Sequence, residues 1–181
     1  MNQHDYVTLM AEYNAWMNRR MFEVCAGLSD DERKRDRGAF FGSIHGTLNH
    51  LMWADRAYLI RLGLLGSDLT IGRPGDVLFD DFEAMRAERE RFDDLLLGWA
   101  RDLEEGALSG TYALRSAVYR RARRIPMFVL IVQMFNHQTH HRGQITTLLS
   151  QAGLDIGSTD IPWMPHVDAL ATEEQPLTPA T

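Results

Sequence analysis

Hydrophobic positions recur at helical spacing in four segments of the chain, which predicts four long amphipathic helices. The first is expected from Asp5 to about Ala26, where Gly27 is placed to cap its end. The second is expected from an N-cap at Ser43 to about Leu65, and it is apolar over most of its circumference.

Two further helices are predicted in the second half of the chain. Asp80 and Glu83 have the spacing of a capping box, which marks the start of the third helix. The fourth is expected to begin at Pro126, which suits a first helical turn, and to run to about Ala152 before Gly153 ends it.

The segments between these helices have other patterns. The charged run from Asp30 to Arg37 is most simply a solvated connector, and residues 66–75 are expected to form a loop. Residues 106–125 break the helical period and are rich in Thr, Tyr, Val and Ser, which predicts a hairpin across Thr111 to Ile125. We therefore predict an all-α protein, a four-helix bundle with a short β-hairpin between the third and fourth helices.

Composition sets limits on the class of protein. A chain of 181 residues with 45% hydrophobic and 24% charged residues is typical of one soluble globular domain. The net charge of -6 argues against a general affinity for nucleic acid or membrane surfaces. The N-terminal residues lack a signal-peptide pattern and no apolar run is long enough to span a membrane, so we expect a cytoplasmic protein. The single cysteine, Cys25, excludes an intrachain disulfide and is expected to be a buried, inert thiol.

Candidate chemistry is concentrated in the fourth helix, at His137, His140 and His141. Residues four apart lie about 40° apart on a helix, so His137 and His141 can share one metal ion. Both lie on an otherwise apolar stripe with Leu130 and Met134, whereas His140 lies on a polar stripe. Two adjacent core imidazoles each need a partner, and a metal ion satisfies both. The alternative is a pair of separately hydrogen-bonded core histidines.

A third ligand is expected from the second helix, which carries His45 and His50. These lie about 140° apart around the helix, so both cannot face the same point. Small neighbours around His50 leave room for a metal ion and a bound water, although periodicity alone does not choose between the two. Three histidines with an open fourth position would form a catalytic type of metal site.

Three segments also resemble the DinB/YfiT-like family of metalloenzymes: residues 13–20, 47–56 and 135–144. The resemblance spans roughly residues 3–165 and implies a four-helix bundle that holds a divalent metal ion. It also implies that one histidine of the second helix and an HxxxH pair of the last are the ligands, which here are His50, His137 and His141. We accordingly assign residues 1–165 to the bundle domain and residues 166–181 to a C-terminal tail.

The resemblance also implies a function. Better characterised relatives are transferases and isomerases that use bacillithiol, mycothiol or glutathione, and the family name records induction by DNA damage, not a DNA polymerase. Three imidazoles suit several divalent metals, of which we expect zinc or nickel. We therefore expect a metal-dependent enzyme acting on a small molecule, with a low-molecular-weight thiol as cosubstrate or with hydrolysis as the reaction.

A non-catalytic alternative stays open, in which the protein is a stress-related regulatory module that binds a metal ion or a partner. It is supported by a run of arginines that could dock an acidic partner: Arg115, Arg120, Arg121, Arg123 and Arg124. No nucleic-acid motif surrounds this run, so we expect no specific nucleic-acid partner. Homodimerisation through an exposed helix face is plausible for a bundle of this size.

Several polar residues near the histidines have two interpretations. Asp55 and Arg56 are expected at the surface, and the alternative is that they orient a ligand or contact substrate. Asn49, Asn136 and Gln144 are expected to be structural, although each could also contact a substrate or fix an imidazole tautomer.

Overall fold

The computed structural model describes residues 1–116 and 120–172. These residues form six α-helices: α1 (Gln3–Ala26), α2 (Asp30–Lys34), α3 (Ile44–Arg61), α4 (Phe82–Arg101), α5 (Met127–Gln151) and α6 (Pro165–Asp168). One antiparallel pair of strands, β1 (Thr111–Ser116) and β2 (Arg121–Pro126), precedes α5, and a 3-10 helix covers Ile161–Trp163. The protein is mostly helical with one small sheet, and nothing in the described residues conflicts with the predicted four-helix bundle.

The four long helices pack side by side. Helix α1 contacts α4 and α5, and α3 contacts the same two helices. The core between them is built from large, fully buried side chains: Met17, Met21, Ile44, Leu48, Met52, Met85, Phe92, Ile131, Met134, Phe135, Ile145 and Leu149. Because α3 and α5 are direct neighbours, side chains on their facing sides can form one site.

Polar caps set where the helices begin. Ser43 caps α3 as predicted, through its hydroxyl group. Helix α4 begins one residue later than Asp80 predicts, because Asp81 is its N-cap and accepts a hydrogen bond from the backbone N–H of Ala84 at 2.7 Å. The carboxylate of Asp80 instead pairs with Lys34 Nζ at 2.9 Å.

Three details of the helices and their connections differ from the expectations: an additional short helix, an earlier helix end and the conformation of a capping glycine. The predicted connector after α1 contains helix α2, whose first turn is capped by the hydroxyl of Ser29. Helix α3 ends at Arg61, earlier than expected, because the chain turns at Gly63, which has a φ of +74°. Gly27 follows α1 as predicted but keeps a right-handed conformation.

The predicted hairpin is confirmed. Thr111 pairs with Pro126 at its open end, and Ser116 pairs with Arg121 at the other. Residues 117–119, which belong to the predicted hairpin, lie outside the described residues.

The chain beyond α5 folds back over α1 before the predicted tail begins. Met164 is buried against Tyr13 and Met17, and the Tyr13 hydroxyl donates a hydrogen bond to the carbonyl oxygen of Thr159 at 2.8 Å. The domain boundary after residue 165 stays a prediction, and residues 173–181 of the tail lie outside the described part of the chain. None of the helices described above is long and apolar enough to cross a membrane.

Candidate metal centre

His50 on α3 meets His137 and His141 on α5 at one point between the two helices. One ring nitrogen from each histidine lies within 4.8 Å of the others. The Nε2 atoms of His137 and His141 are 3.1 Å apart, and the ring centroid of His50 lies 4.5 Å from that of His141. The three side chains that the sequence selects are therefore brought together.

The other two candidate histidines lie outside this cluster. His45 is buried on α3, but its Nε2 lies 2.8 Å from the carbonyl oxygen of Phe79, which fixes the ring away from His50. His140 is exposed on α5, in agreement with its position on the polar stripe. Of the two histidines on α3, the fold therefore brings only His50 to the pair on α5.

Aromatic side chains form part of the wall around the cluster. The ring of Phe41 stacks on that of His50 with a centroid distance of 3.9 Å, and Trp53 lies nearly parallel to His50 at 5.5 Å. Tyr58 lies beside His137 at 6.5 Å. These rings shield the imidazoles from water and hold His50 in one orientation.

Burial keeps the three imidazoles neutral. Desolvation, together with the nearby His141 and His137, lowers the pKa of His50 to about 3. Desolvation and the proximity of His141 lower the pKa of His137 to about 4, and burial also lowers the pKa of His141. A neutral imidazole has a free lone pair, which is the form that binds a metal ion.

The hydrogen bonds of the cluster fit a shared metal ion. The Nδ1 atoms of His50 and His137 are buried and have no hydrogen-bond partner among the described residues, so neither ring is held by a separate hydrogen bond outside the cluster. His141 Nδ1 lies 2.8 Å from Gln144 Oε1, and since that oxygen only accepts, Nδ1 donates and Nε2 keeps its lone pair. Two nitrogens bound to one tetrahedral zinc ion would lie about 3.3 Å apart, close to the observed Nε2 separation of 3.1 Å.

The expectation that Asp55 lies at the surface is wrong, because its side chain is buried. Only 3% of its side-chain surface is exposed, and it pairs with Arg89 on α4. Gln138, the residue after His137, donates its amide N–H to Asp55 Oδ1 at 2.9 Å. Burial of the Asp55 carboxylate and the Arg89 guanidinium is tolerated because each compensates the charge of the other.

Asp55 belongs to a larger set of buried polar residues that periodicity did not identify: Asn14, Asn18, Arg89, Asp93, Gln138 and Arg142. The sequence does contain a pattern that indicates their burial. Gln138 and Arg142 lie on one helical line with the buried Phe135 and Leu149, as Arg89 does with Met85. A polar residue on such a line must have a buried partner, and these residues are one another's partners.

Two of the remaining candidates have structural roles. Asn49 holds the loop before α4, since its Oδ1 accepts hydrogen bonds from the backbone N–H groups of Leu78 and Phe79 at 2.8 and 2.9 Å. Cys25 is fully buried in the core, and desolvation raises the pKa of its thiol to about 12. Its position confirms the expected burial.

Comparison with known proteins places the chain in a family. Residues 1–176 match the family model described as the DinB family. The chain is similar to Protein DinB of Bacillus subtilis (strain 168), with 26% identity over 171 residues, covering 86% of this chain and 91% of that protein. No solved structure gives a significant match. With a family match over nearly its whole length and a three-histidine cluster that could hold a metal ion, this chain belongs to the DinB family.

Proposed function

We propose that this DinB-family protein binds one divalent metal ion, zinc or nickel, through His50, His137 and His141. The observation that supports this is the convergence of three buried imidazoles from two helices, with one nitrogen of each within 4.8 Å of the others. Burial lowers the pKa of each, so the three rings are neutral and ready to bind a metal ion at pH 7.

We further propose that the metal site is catalytic. Three protein ligands leave a coordination position open, which distinguishes catalytic from closed structural sites. When bound, the ion would supply a Lewis acid that lowers the pKa of a coordinated water or thiol. Gln144 holds His141 in the tautomer with a free Nε2, while Phe41 and Trp53 flank His50 and limit water access on their side.

The reaction we propose is transfer of a low-molecular-weight thiol onto a small electrophilic substrate, with metal-assisted hydrolysis as the second reaction to test. Two small residues near His50 on α3, Ala54 and Ala57, are buried. A cytoplasmic location and homodimerisation stay predictions from the sequence.

Metal analysis of protein purified without a histidine tag tests the ligand assignment. We expect about one equivalent of metal in the wild type and in His45→Ala, but none in His50→Ala. The two substitutions are matched, since both remove a buried histidine from α3 and only His50 belongs to the cluster. On α5, His140→Ala should retain metal and His141→Ala should lose it. Metal retained in His50→Ala and lost in His45→Ala would reverse the assignment.

A regulatory module is the second candidate, and the exposed hairpin favours it. Arg121, Arg123 and Arg124 on β2 are all exposed, and residues 111–126 contain no acidic side chain. Such a surface fits an acidic partner. If the metal ion is structural in such a module, chelation should unfold the chain, whereas the catalytic proposal expects a folded apo protein.

A further inference from the structure

A buried polar network begins and ends on α5, one residue after each of the two α5 histidines. It begins at Gln138, which donates to Asp55 Oδ1 on α3 at 2.9 Å. Asp55 Oδ2 accepts a hydrogen bond from Arg89 on α4, and Arg89 also donates from Nε to Asp93 Oδ2 at 3.1 Å. All four side chains are buried.

The network returns to α5 through α1. Asp93 accepts hydrogen bonds from Asn18 at 2.9 Å and from Asn14 at 3.1 Å. The side-chain oxygen of Asn14 in turn accepts a hydrogen bond from Arg142, the residue after His141. Arg142 is buried as well and donates to Thr139 Oγ1 at 3.2 Å. All four long helices therefore contribute to one continuous path.

This arrangement constrains the rotation of α5 about its own axis. Gln138 and Arg142 project about 100° from His137 and His141, so a rotation that moves one pair moves the other. With side chains about 5–6 Å from the helix axis, a rotation of 10° displaces them by about 1 Å. Such a rotation would break charge-assisted hydrogen bonds between buried side chains, which is costly.

The same path fixes the spacing of the two helices that carry the histidines. The hydrogen bond from Gln138 to Asp55 joins α5 directly to α3, the helix that carries His50. Metal sites tolerate ligand displacements of only about 0.5 Å before the coordination geometry is lost. The buried hydrogen bond that joins α3 to α5 is therefore placed to set the geometry of the histidine cluster.

We propose that Gln138 and Asp55 are positioning residues, which set the rotation and spacing of α5 against α3 and thereby the geometry of the three-histidine site. The inference rests on the proposed metal site and goes beyond it, because neither residue contacts the imidazole nitrogens. The residues act through helix placement, so their loss should change the coordination geometry and not only the stability of the protein.

The test is a titration of the apo protein with Co²⁺, followed by its visible absorption spectrum, whose intensity and band positions report coordination geometry. The test variant is Gln138→Met, which keeps the length of the side chain and removes the amide. The matched control is Gln151→Met, the same change at an exposed position of α5. A second control, Leu149→Ala, destabilises the buried core of α5 without touching the network.

We expect Gln138→Met to bind Co²⁺ roughly tenfold or more weakly than the wild type and with a changed spectrum, the size of effect seen when support around a metal site is removed. Both controls should bind like the wild type, although Leu149→Ala should unfold at a lower urea concentration. Gln138→Asn keeps the amide but is one methylene shorter, so it should also lose the hydrogen bond to Asp55 and behave like Gln138→Met. If Gln138→Met does not fold, Gln138→Asn provides the test.

Wild-type affinity and spectrum in both Gln138 variants would overturn the positioning role while leaving the metal site intact. A spectrum changed equally in Leu149→Ala would also overturn it, because the effect would then come from lost stability. A wild-type protein that does not bind Co²⁺, Zn²⁺ or Ni²⁺ would instead overturn the proposed function, and the positioning role with it.

Discussion

The carboxamide oxygen of Gln144 lies 2.8 Å from Nδ1 of His141, one turn earlier on the same helix. Because that oxygen cannot donate, the proton of the neutral imidazole resides on Nδ1, and Nε2 presents its lone pair to the cluster. Both residues lie on α5, so this orientation is set locally and does not depend on how the helices pack.

Gln144 is expected to tune metal affinity through this hydrogen bond. Gln144→Leu should weaken binding by about 10- to 100-fold, because the ring loses the acceptor that fixes its tautomer. Gln144→Glu should bind at least as tightly as the wild type, since a carboxylate also accepts from Nδ1–H. Competition with a chromophoric chelator measures both, and wild-type affinity in Gln144→Leu would contradict the tautomer argument.

Removal of metal should lower the melting temperature without unfolding the protein at 25 °C. A ligand that binds only the folded state stabilises it by about 2.7 kcal/mol when its free concentration is a hundred times Kd. The extensive buried core does not depend on the site, so it should hold the fold alone. Calorimetry with and without EDTA gives the shift, and His137→Ala should show none. Complete unfolding by EDTA would indicate a structural metal.

The two arginines Arg89 and Arg91 should differ sharply in their effect on stability. Burial disfavours the charge on Arg89, but the nearby carboxylates of Asp93 and Asp55 outweigh it and raise its pKa. Arg89→Ala leaves two buried carboxylates without their cation, so we expect a loss of about 3–5 kcal/mol in the free energy of unfolding. Arg91→Ala removes an ion pair between exposed Arg91 and half-buried Glu88 at the surface and should cost about 0.5 kcal/mol or less. Urea denaturation compares them, and similar losses would refute the distinction.

Cys25 should not react with thiol reagents in the folded protein. The raised pKa of about 12 means that about one thiol in ten thousand is ionised at pH 8, and the side chain is fully buried. Labelling with a maleimide should therefore be negligible in buffer and complete in denaturant. Rapid labelling of the native protein would show that α1 opens or that the thiol is accessible.

Thiol transfer should depend on the histidine cluster and not on the protein's own thiol. The holo protein should accelerate the opening of an epoxide by a low-molecular-weight thiol, or the displacement of chloride from a chlorinated aromatic compound by that thiol, at a rate that follows metal occupancy. His137→Ala should abolish the rate and Cys25→Ala should leave it nearly unchanged. A broad panel of thiols and electrophiles without metal-dependent turnover would direct the search to hydrolysis.

The helices and the cluster on α5 were predictable because each depends on local periodicity. His137 and His141 are one turn apart on the same stripe, so any helix in this segment brings them together, and the exposed position of His140 follows from the same pattern. The choice of His50 could not be made from periodicity. Helix α3 is apolar nearly all round, so periodicity could not choose it over His45, and the family resemblance supplied the choice.

What the sequence did not reveal depends on contacts between distant segments. Asp55 reads as a surface residue because its partners, Arg89 and Gln138, are 34 and 83 positions away. Asp80 and Asp81 are both suitable caps; the structure uses Asp81, and Asp80 pairs with Lys34, far earlier in the chain. No local pattern contains such partners.

The one-residue offset between the histidines and the polar path on α5 has a consequence for engineering. Under the proposed metal site, residues 137 and 141 could be exchanged for other metal-binding side chains while Gln138 and Arg142 keep their buried hydrogen bonds. An Asp or Cys introduced at position 137 or 141 would then lie on a helix whose rotation is held by the hydrogen bonds of Gln138 and Arg142. Because Asp and Cys side chains are shorter than His, such a substitution would change both the ligand atom and its reach while the helix alignment is kept.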